Sequence, residues 1–140
     1  MKILLAVDGS VYTTRMLSYI STHPDMFGGD HRFTAFYAVL PMPHRAAAFA
    51  GPDLTRSYYE DDAEVVLGPI RQYIESRRIT ALLAHQVGHP AQLIADKATR
   101  EHFDLLVMGS HGHGTFANLV LGSVAAKVLA SCSVPALLVR

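Results

Sequence analysis

Leu105-Leu106-Val107-Met108-Gly109-Ser110-His111-Gly112-His113-Gly114-Thr115-Phe116-Ala117-Asn118-Leu119-Val120-Leu121-Gly122-Ser123 is the stretch on which the architecture turns. The first four residues form a short apolar run, the signature of a strand covered on both faces. A loop of small residues follows, and Gly122 and Ser123 then open a helix. Strand, loop and helix in that order make a place for phosphates, because backbone N–H groups and the positive end of the helix dipole converge there. Glycine suits such a loop because it reaches positive φ and lets the backbone approach an anion closely.

The same alternation extends in both directions. Ile3 to Val7 is another apolar run, ended by Asp8-Gly9-Ser10, and Ser10 can cap the following helix. Met16, Leu17 and Ile20 recur at helical spacing until His23-Pro24, and Gly28-Gly29 makes a loop. Phe33 to Leu40 reads as the second strand. The connection from Pro41 to Pro52, with three prolines and an alanine-rich run, is longer than usual and reads as a lid or as disorder. From Leu54 to Arg78 the pattern is helical, but Gly68-Pro69 predicts two consecutive pieces. Thr80 to Val87 is the third strand, and Pro90 opens a helix with Ala91, Ile94, Ala95 and Ala98 on one face. After the glycine loop, Val124, Val128, Leu129 and Cys132 form the core face of the last helix. Pro135 to Val139 is the fifth strand.

Apolar strands alternating with helices imply parallel βαβ units and a doubly wound sheet, whose ligands sit beyond the carboxyl ends of the strands where the order reverses. If the first and fourth strands are neighbours, Asp8-Gly9-Ser10 and the Gly109 loop line one crevice.

Composition narrows the function. The chain has 140 residues, half of them hydrophobic, enough for one domain with a continuous core. Twelve basic and twelve acidic residues cancel, so no net field favours nucleic acid or an anionic membrane. The single cysteine, Cys132, lies in an apolar helical pattern and fits a reducing compartment. The amino-terminal apolar run is too short for a signal peptide and no stretch reaches membrane-span length, so a soluble, cytoplasmic protein is expected.

Glycines in a loop are weak evidence alone, but spacing sharpens them. Gly109, Gly112, Gly122 and Ser123 follow the pattern Gly-x2-Gly-x9-Gly-Ser/Thr, which resembles the ATP-binding branch of the universal stress protein family. The resemblance also rests on Lys2-Ile3-Leu4-Leu5-Ala6-Val7-Asp8-Gly9-Ser10, on Gly88 with Pro90, and on Val134-Pro135-Ala136-Leu137-Leu138-Val139. It covers nearly all of the chain and is least characteristic from Pro41 to Arg78. It implies a single domain over 1–140 with a Rossmann-like α/β fold: a five-stranded parallel sheet in the order 3-2-1-4-5 with helices on both faces. It further implies that Gly109, Gly112, Gly122 and Ser123 contact the ribose and phosphates of ATP, that Asp8 lies beside the nucleoside, and that Val39 offers backbone contacts to adenine. The family also implies a homodimer through the last strand. An independent argument agrees, since nothing after Pro135 to Val139 covers that sheet edge.

Each residue also has a plainer use. Asp8 can end the strand or cap the first helix; near phosphates it must face ribose, hold Mg²⁺ or stay out of reach. Ser123 can cap the last helix. His111, between two motif glycines, is placed to touch phosphate. His111 and His113, with His85, His89 and His102, lack the cysteine or carboxylate partners of a zinc site, so no structural metal is expected. Arg45 and Arg56 flank the Pro41 to Pro52 segment and can fold over a triphosphate, whereas Glu60-Asp61-Asp62-Glu64 reads as a solvated helical face. No nucleophile–base pair is evident, and the loop lacks a Walker-type lysine. The leading expectation is an ATP-binding regulator whose bound state is read by the dimer or by an unknown downstream protein. The alternatives are an adenylyl- or phosphoryl-transfer enzyme, hydrolysing ATP slowly at most, and a nucleotide-free interaction module.

Overall fold

A computed structural model describes residues 1–114 and 118–140; residues 115–117 of the glycine loop lie outside the described residues. In chain order the elements are β1 (Lys2–Val7), α1 (Val11–Thr22), α2 (Pro24–Phe27), β2 (Arg32–Val39), α3 (His44–Ala50), α4 (Pro52–Ser76), β3 (Ala81–Val87), α5 (Pro90–Arg100), β4 (Leu105–Gly109), α6 (Ser123–Ser131) and β5 (Ala136–Val139). The strands form one parallel sheet in the order β3-β2-β1-β4-β5. Ile3 of β1 is the register partner of Phe33 on one side and of Leu105 on the other, so β1 is central and the chain crosses over it to reach β4.

Alternate residues of the central strands feed two cores, as a pleated strand requires. Ile3, Leu5, Val7, Phe33 and Ala35 pack with Met16, Leu17 and Ile20 of α1 and with Leu67, Ile70 and Ile74 of α4. On the opposite face, Leu4, Phe36, Ala38, Leu106 and Met108 pack with α5 and α6 through Ile94, Ala98, Ala125 and Val128. Both faces of β1, β2 and β4 are thereby removed from water, which accounts for the unbroken apolar runs.

Four local expectations are corrected. The segment from Pro41 to Pro52 is neither an open lid nor disorder: it contains helix α3, carried by the good helix former alanine at positions 46–48 and ended at Gly51, whose φ is +83°. Its approach is fixed by the Met42 N–H, which donates to the Tyr59 hydroxyl at 2.8 Å. Gly68-Pro69 does not divide α4, which runs unbroken for 25 residues. Pro69 removes the N–H that would serve the Val65 carbonyl, but Val65 is 73% exposed, so water can take that place while Leu67, Ile70 and Ile74 hold the other face on the sheet. Ser10 is the N-cap residue of α1 without a side-chain capping bond, and its Oγ is buried with no partner among the described residues. In α6 the buried positions are Ala125 and Val128; Leu129 is exposed and Cys132 only half-buried, because the helix touches the sheet along a narrower stripe than the sequence spacing suggests.

Phe36 is 1% exposed and fills the second core between β2 and α5. Phe36→Ala should lower unfolding free energy by about 3–5 kcal/mol in chemical denaturation, the usual cost of an emptied aromatic site.

Candidate functional site

The crossover decides the site. Because β1 and β4 are neighbours, with Ala6 opposite Met108, their carboxyl ends deliver Asp8 and Gly109 to the same crevice. The crevice has a volume of about 870 Å³ and is walled on its far side by α4. Asp8, Gly109, His111, Gly112, Gly122 and Ser123 all line it. Val39 does not: its neighbours Ala38 and Leu40 line the crevice, whereas Val39 is fully buried and its carbonyl already accepts the Gly88 N–H at 2.9 Å.

The glycine loop is built by close approach. A Cβ on Gly112 would lie 2.7 Å from Asp8 Oδ2, one on Gly122 would lie 3.0 Å from His111 Cα, and one on Gly109 would lie 2.6 Å from Tyr12 Cβ. Positive φ plays no part at these three positions; in the crevice it belongs to Gly9, at +76°. The Gly122 N–H donates to the Ser110 carbonyl at 2.8 Å, folding the loop back so that α6 begins at the crevice. Gly122 is the N-cap residue, so Ser123 stands one place inside the helix and is not its cap. Its hydroxyl makes no hydrogen bond among the described residues, and the orphan N–H groups of the first turn of α6 open on the same space.

Asp8 has two separate duties. Its Oδ1 accepts the Ser10 N–H at 2.9 Å and the Thr13 hydroxyl at 2.9 Å, closing the turn from β1 into α1. Its Oδ2 faces Gly112. The two loops are tied again by His113, whose Nε2 bonds the Asp8 carbonyl at 2.7 Å. His111 is also engaged: Nε2 bonds the Leu119 carbonyl at 2.8 Å and Nδ1 the Ser110 hydroxyl at 2.9 Å, with the ring 5.2 Å from that of Tyr12. A carbonyl only accepts, so Nε2 carries the proton in both imidazoles. For His111 to contact phosphate it must exchange one of these partners.

Sequence reasoning missed the α4 wall. Asp62 is no part of a purely solvated face: its Oδ2 accepts the Tyr37 hydroxyl at 3.3 Å, and both residues line the crevice. Positions 62, 66, 69 and 73 recur at helical spacing and all line it, a signal masked by the acidic run around Asp62. Arg45 and Arg56 are exposed and stand outside the lining. His102 and Asp104 lie at the amino end of β4, remote from the crevice, where the Asp104 carboxylate accepts the Lys2 N–H at 2.6 Å. Among the described residues no three His, Cys, Asp or Glu side chains are grouped to hold a metal ion, and no Lys or Arg lines the crevice.

A sequence profile of the Universal stress protein family matches residues 1–140. The chain belongs to the universal stress protein family. The Thermus aquaticus universal stress protein in the QAH/OAS sulfhydrylase 3′ region is 34% identical over 139 residues, spanning 99% of this chain and 97% of its own length. UspA from Lactobacillus plantarum shares the fold with a TM-score of 0.83 at 19% identity, over 100% of this chain and 97% of that one. A universal stress protein family protein from Arabidopsis thaliana, solved with AMP bound, shares it with a TM-score of 0.68 at 17% identity, over 99% and 90% of the two chains. Among the described residues no helix of this universal stress protein is long and apolar enough to cross a membrane.

Burial first, and then Asp62 and Asp8, push the Tyr37 phenol up from its usual 10 to about 12. A raised pKa favours the neutral form, so the contribution to stability is full below pH 10 and is lost as pH rises toward 12. Tyr37→Phe should therefore make alkaline unfolding less steep in that range. In a phenolate absorbance titration Tyr37 should ionise well above the usual 10, toward 12, and Asp62→Asn should bring it down; a Tyr37 that ionises at the usual 10 would contradict the geometry.

Proposed function

We propose that this universal stress protein is a nucleotide-binding regulator of the stress response that holds ATP in the crevice between β1 and β4. The observation that carries this reading is the backbone cradle: a Cβ at Gly112 would lie 2.7 Å from the Asp8 carboxylate and one at Gly122 3.0 Å from His111 Cα, beside the opening turn of α6. Phosphate oxygens suit the N–H groups and the Ser123 hydroxyl, and the apolar wall of α4 suits a base. The AMP bound to the Arabidopsis protein of the same fold supports the nucleotide class. Val39 remains the residue proposed to offer a backbone contact to adenine, through the second lone pair of its carbonyl, with Ala38 and Leu40 exposing the strand end beside it.

Mg²⁺ fits this site as a companion of the triphosphate rather than as a resident ion. Asp8 Oδ2 is the carboxylate oxygen left over after the β1–α1 turn is closed, and Mg²⁺ commonly takes one carboxylate with substrate phosphates and waters. When bound, the ion would neutralise phosphate charge. Transfer chemistry would want a cationic clamp and a nucleophile–base pair. Among the described residues the lining supplies neither, which favours regulation by occupancy, with slow hydrolysis at most.

The occupied state is read through a homodimer and a downstream protein, with the cytoplasm as the site of action. In β5 the Pro135 and Val139 carbonyls accept from β4, so the alternate residues Ala136 and Leu138 turn their backbone groups to the open sheet edge. A second copy pairing there would satisfy them.

In calorimetry, wild type should release heat with Mg²⁺ and ATP, and Gly122→Val should bind at least about tenfold more weakly, because its side chain enters the cradle where even a Cβ is crowded. No heat with wild type, or equal binding by both, contradicts the phosphate site; multiple-turnover phosphate release contradicts the regulator. In sedimentation velocity the chain should run as a dimer, and Ala136→Pro, which removes an outward N–H and spares the ladder to β4, should shift it to monomer. A wild type that stays monomeric at micromolar concentration contradicts the interface.

A further inference from the structure

The crevice that is proposed to hold phosphates faces them with carboxylates. Asp8 Oδ2 lies against the cradle itself, within 2.7 Å of where a Gly112 Cβ would stand, and Asp62 enters from α4. No Lys or Arg lines the crevice among the described residues, and the sequence from Gly109 to Ala126, the 115–117 segment included, contains neither. Arg15 and Arg140 stand behind the loop in a separate cavity of about 190 Å³, with His111 between, and Arg15 is drawn over the Tyr12 ring at 5.2 Å. His111 and His113 have their Nε2 protons committed to backbone carbonyls. Burial first, and then Asp62 and Asp8, raise the Tyr37 pKa, in keeping with negative charge inside the site.

Backbone dipoles can cradle one phosphate group, but a triphosphate carries about twice the charge of a monophosphate, and the excess falls toward Asp8. Resting on the nucleotide-binding reading above, we propose that this crevice selects nucleotides by charge: as free anions it takes an adenosine monophosphate in preference to the triphosphate, and Asp8 is the residue that sets this preference. A divalent cation removes the penalty, so the triphosphate is admitted only as its metal complex. The site would then answer to the ratio of metal-complexed triphosphate to monophosphate.

Calorimetric titrations of the full chain with AMP and with ATP, each in EDTA and in excess Mg²⁺, test this. In EDTA, AMP should bind at least about tenfold tighter than ATP, and Mg²⁺ should strengthen ATP far more than AMP. Added salt should tighten or leave unchanged the binding of metal-free ATP, since screening weakens a repulsion, whereas a cationic site would lose affinity. Asp8→Asn keeps the Oδ1 acceptor for Ser10 and Thr13 while deleting the charge; it should raise metal-free ATP affinity several-fold and AMP affinity by a smaller factor, so that the AMP-to-ATP preference narrows. Asp62→Asn, on a different element, should act in the same direction and more weakly. Metal-free ATP binding as tightly as AMP, or an unchanged ratio in Asp8→Asn, overturns the selection and leaves the nucleotide site standing. Absence of heat with every nucleotide, Mg²⁺ present, overturns the site and the selection together.

Discussion

Everything distinctive about this molecule depends on the parallel pairing of β1 with β4. These strands are separated in sequence by residues 8–104, more than two thirds of the chain, yet Ile3 to Ala6 lie in register with Leu105 to Met108. The pairing places the two loops with unusual backbones side by side at the carboxyl edge of the sheet. It also makes β1 the point where the winding reverses: β2 and β3 lie on one side, β4 and β5 on the other. A crevice at that point follows from topology, since helices leaving in opposite directions cannot cover it.

The crevice is held open and shaped by groups that each do more than one thing. Asp8 closes the β1–α1 turn with one carboxylate oxygen and presents the other to the glycine loop. His113 ties the glycine loop to the Asp8 carbonyl, and His111 ties it to itself through Leu119 and Ser110. Polar side chains at the site are thus spent largely on holding backbone in place. Among the described residues, what remains for a ligand includes backbone N–H groups, the Ser123 hydroxyl, the Asp8 and Asp62 carboxylates and an apolar wall.

Most of the architecture was legible because buried parallel strands cannot disguise themselves: each needs an apolar run, and each run here is punctuated by Gly, Pro or Asp. The exceptions share a cause. Gly68-Pro69 signals a break on local grounds, but burial of Leu67, Ile70 and Ile74 outweighs one lost hydrogen bond. Prolines around positions 41–52 signal irregularity, whereas the intervening alanines form a helix that α4 supports. Spacing points Leu129 at the core and residue type makes Ser10 a cap, yet Leu129 is exposed and Ser10 makes no capping bond, because neither signal carries the position of the neighbouring elements.

The sequence by itself determined the fold class, the order of elements and the glycine positions, because periodicity and turn chemistry are local and survive without knowledge of neighbours. It also placed Asp8, Gly109, His111, Gly112, Gly122 and Ser123 in one candidate site through a motif. Tertiary structure alone decided that α4 closes the crevice, that Asp62 and Tyr37 belong to it, that Val39 stands back from it, and that the arginines lie outside. Those facts concern which side chains from distant segments share a space. The distribution of charge across that space is set by packing geometry, which no single segment encodes.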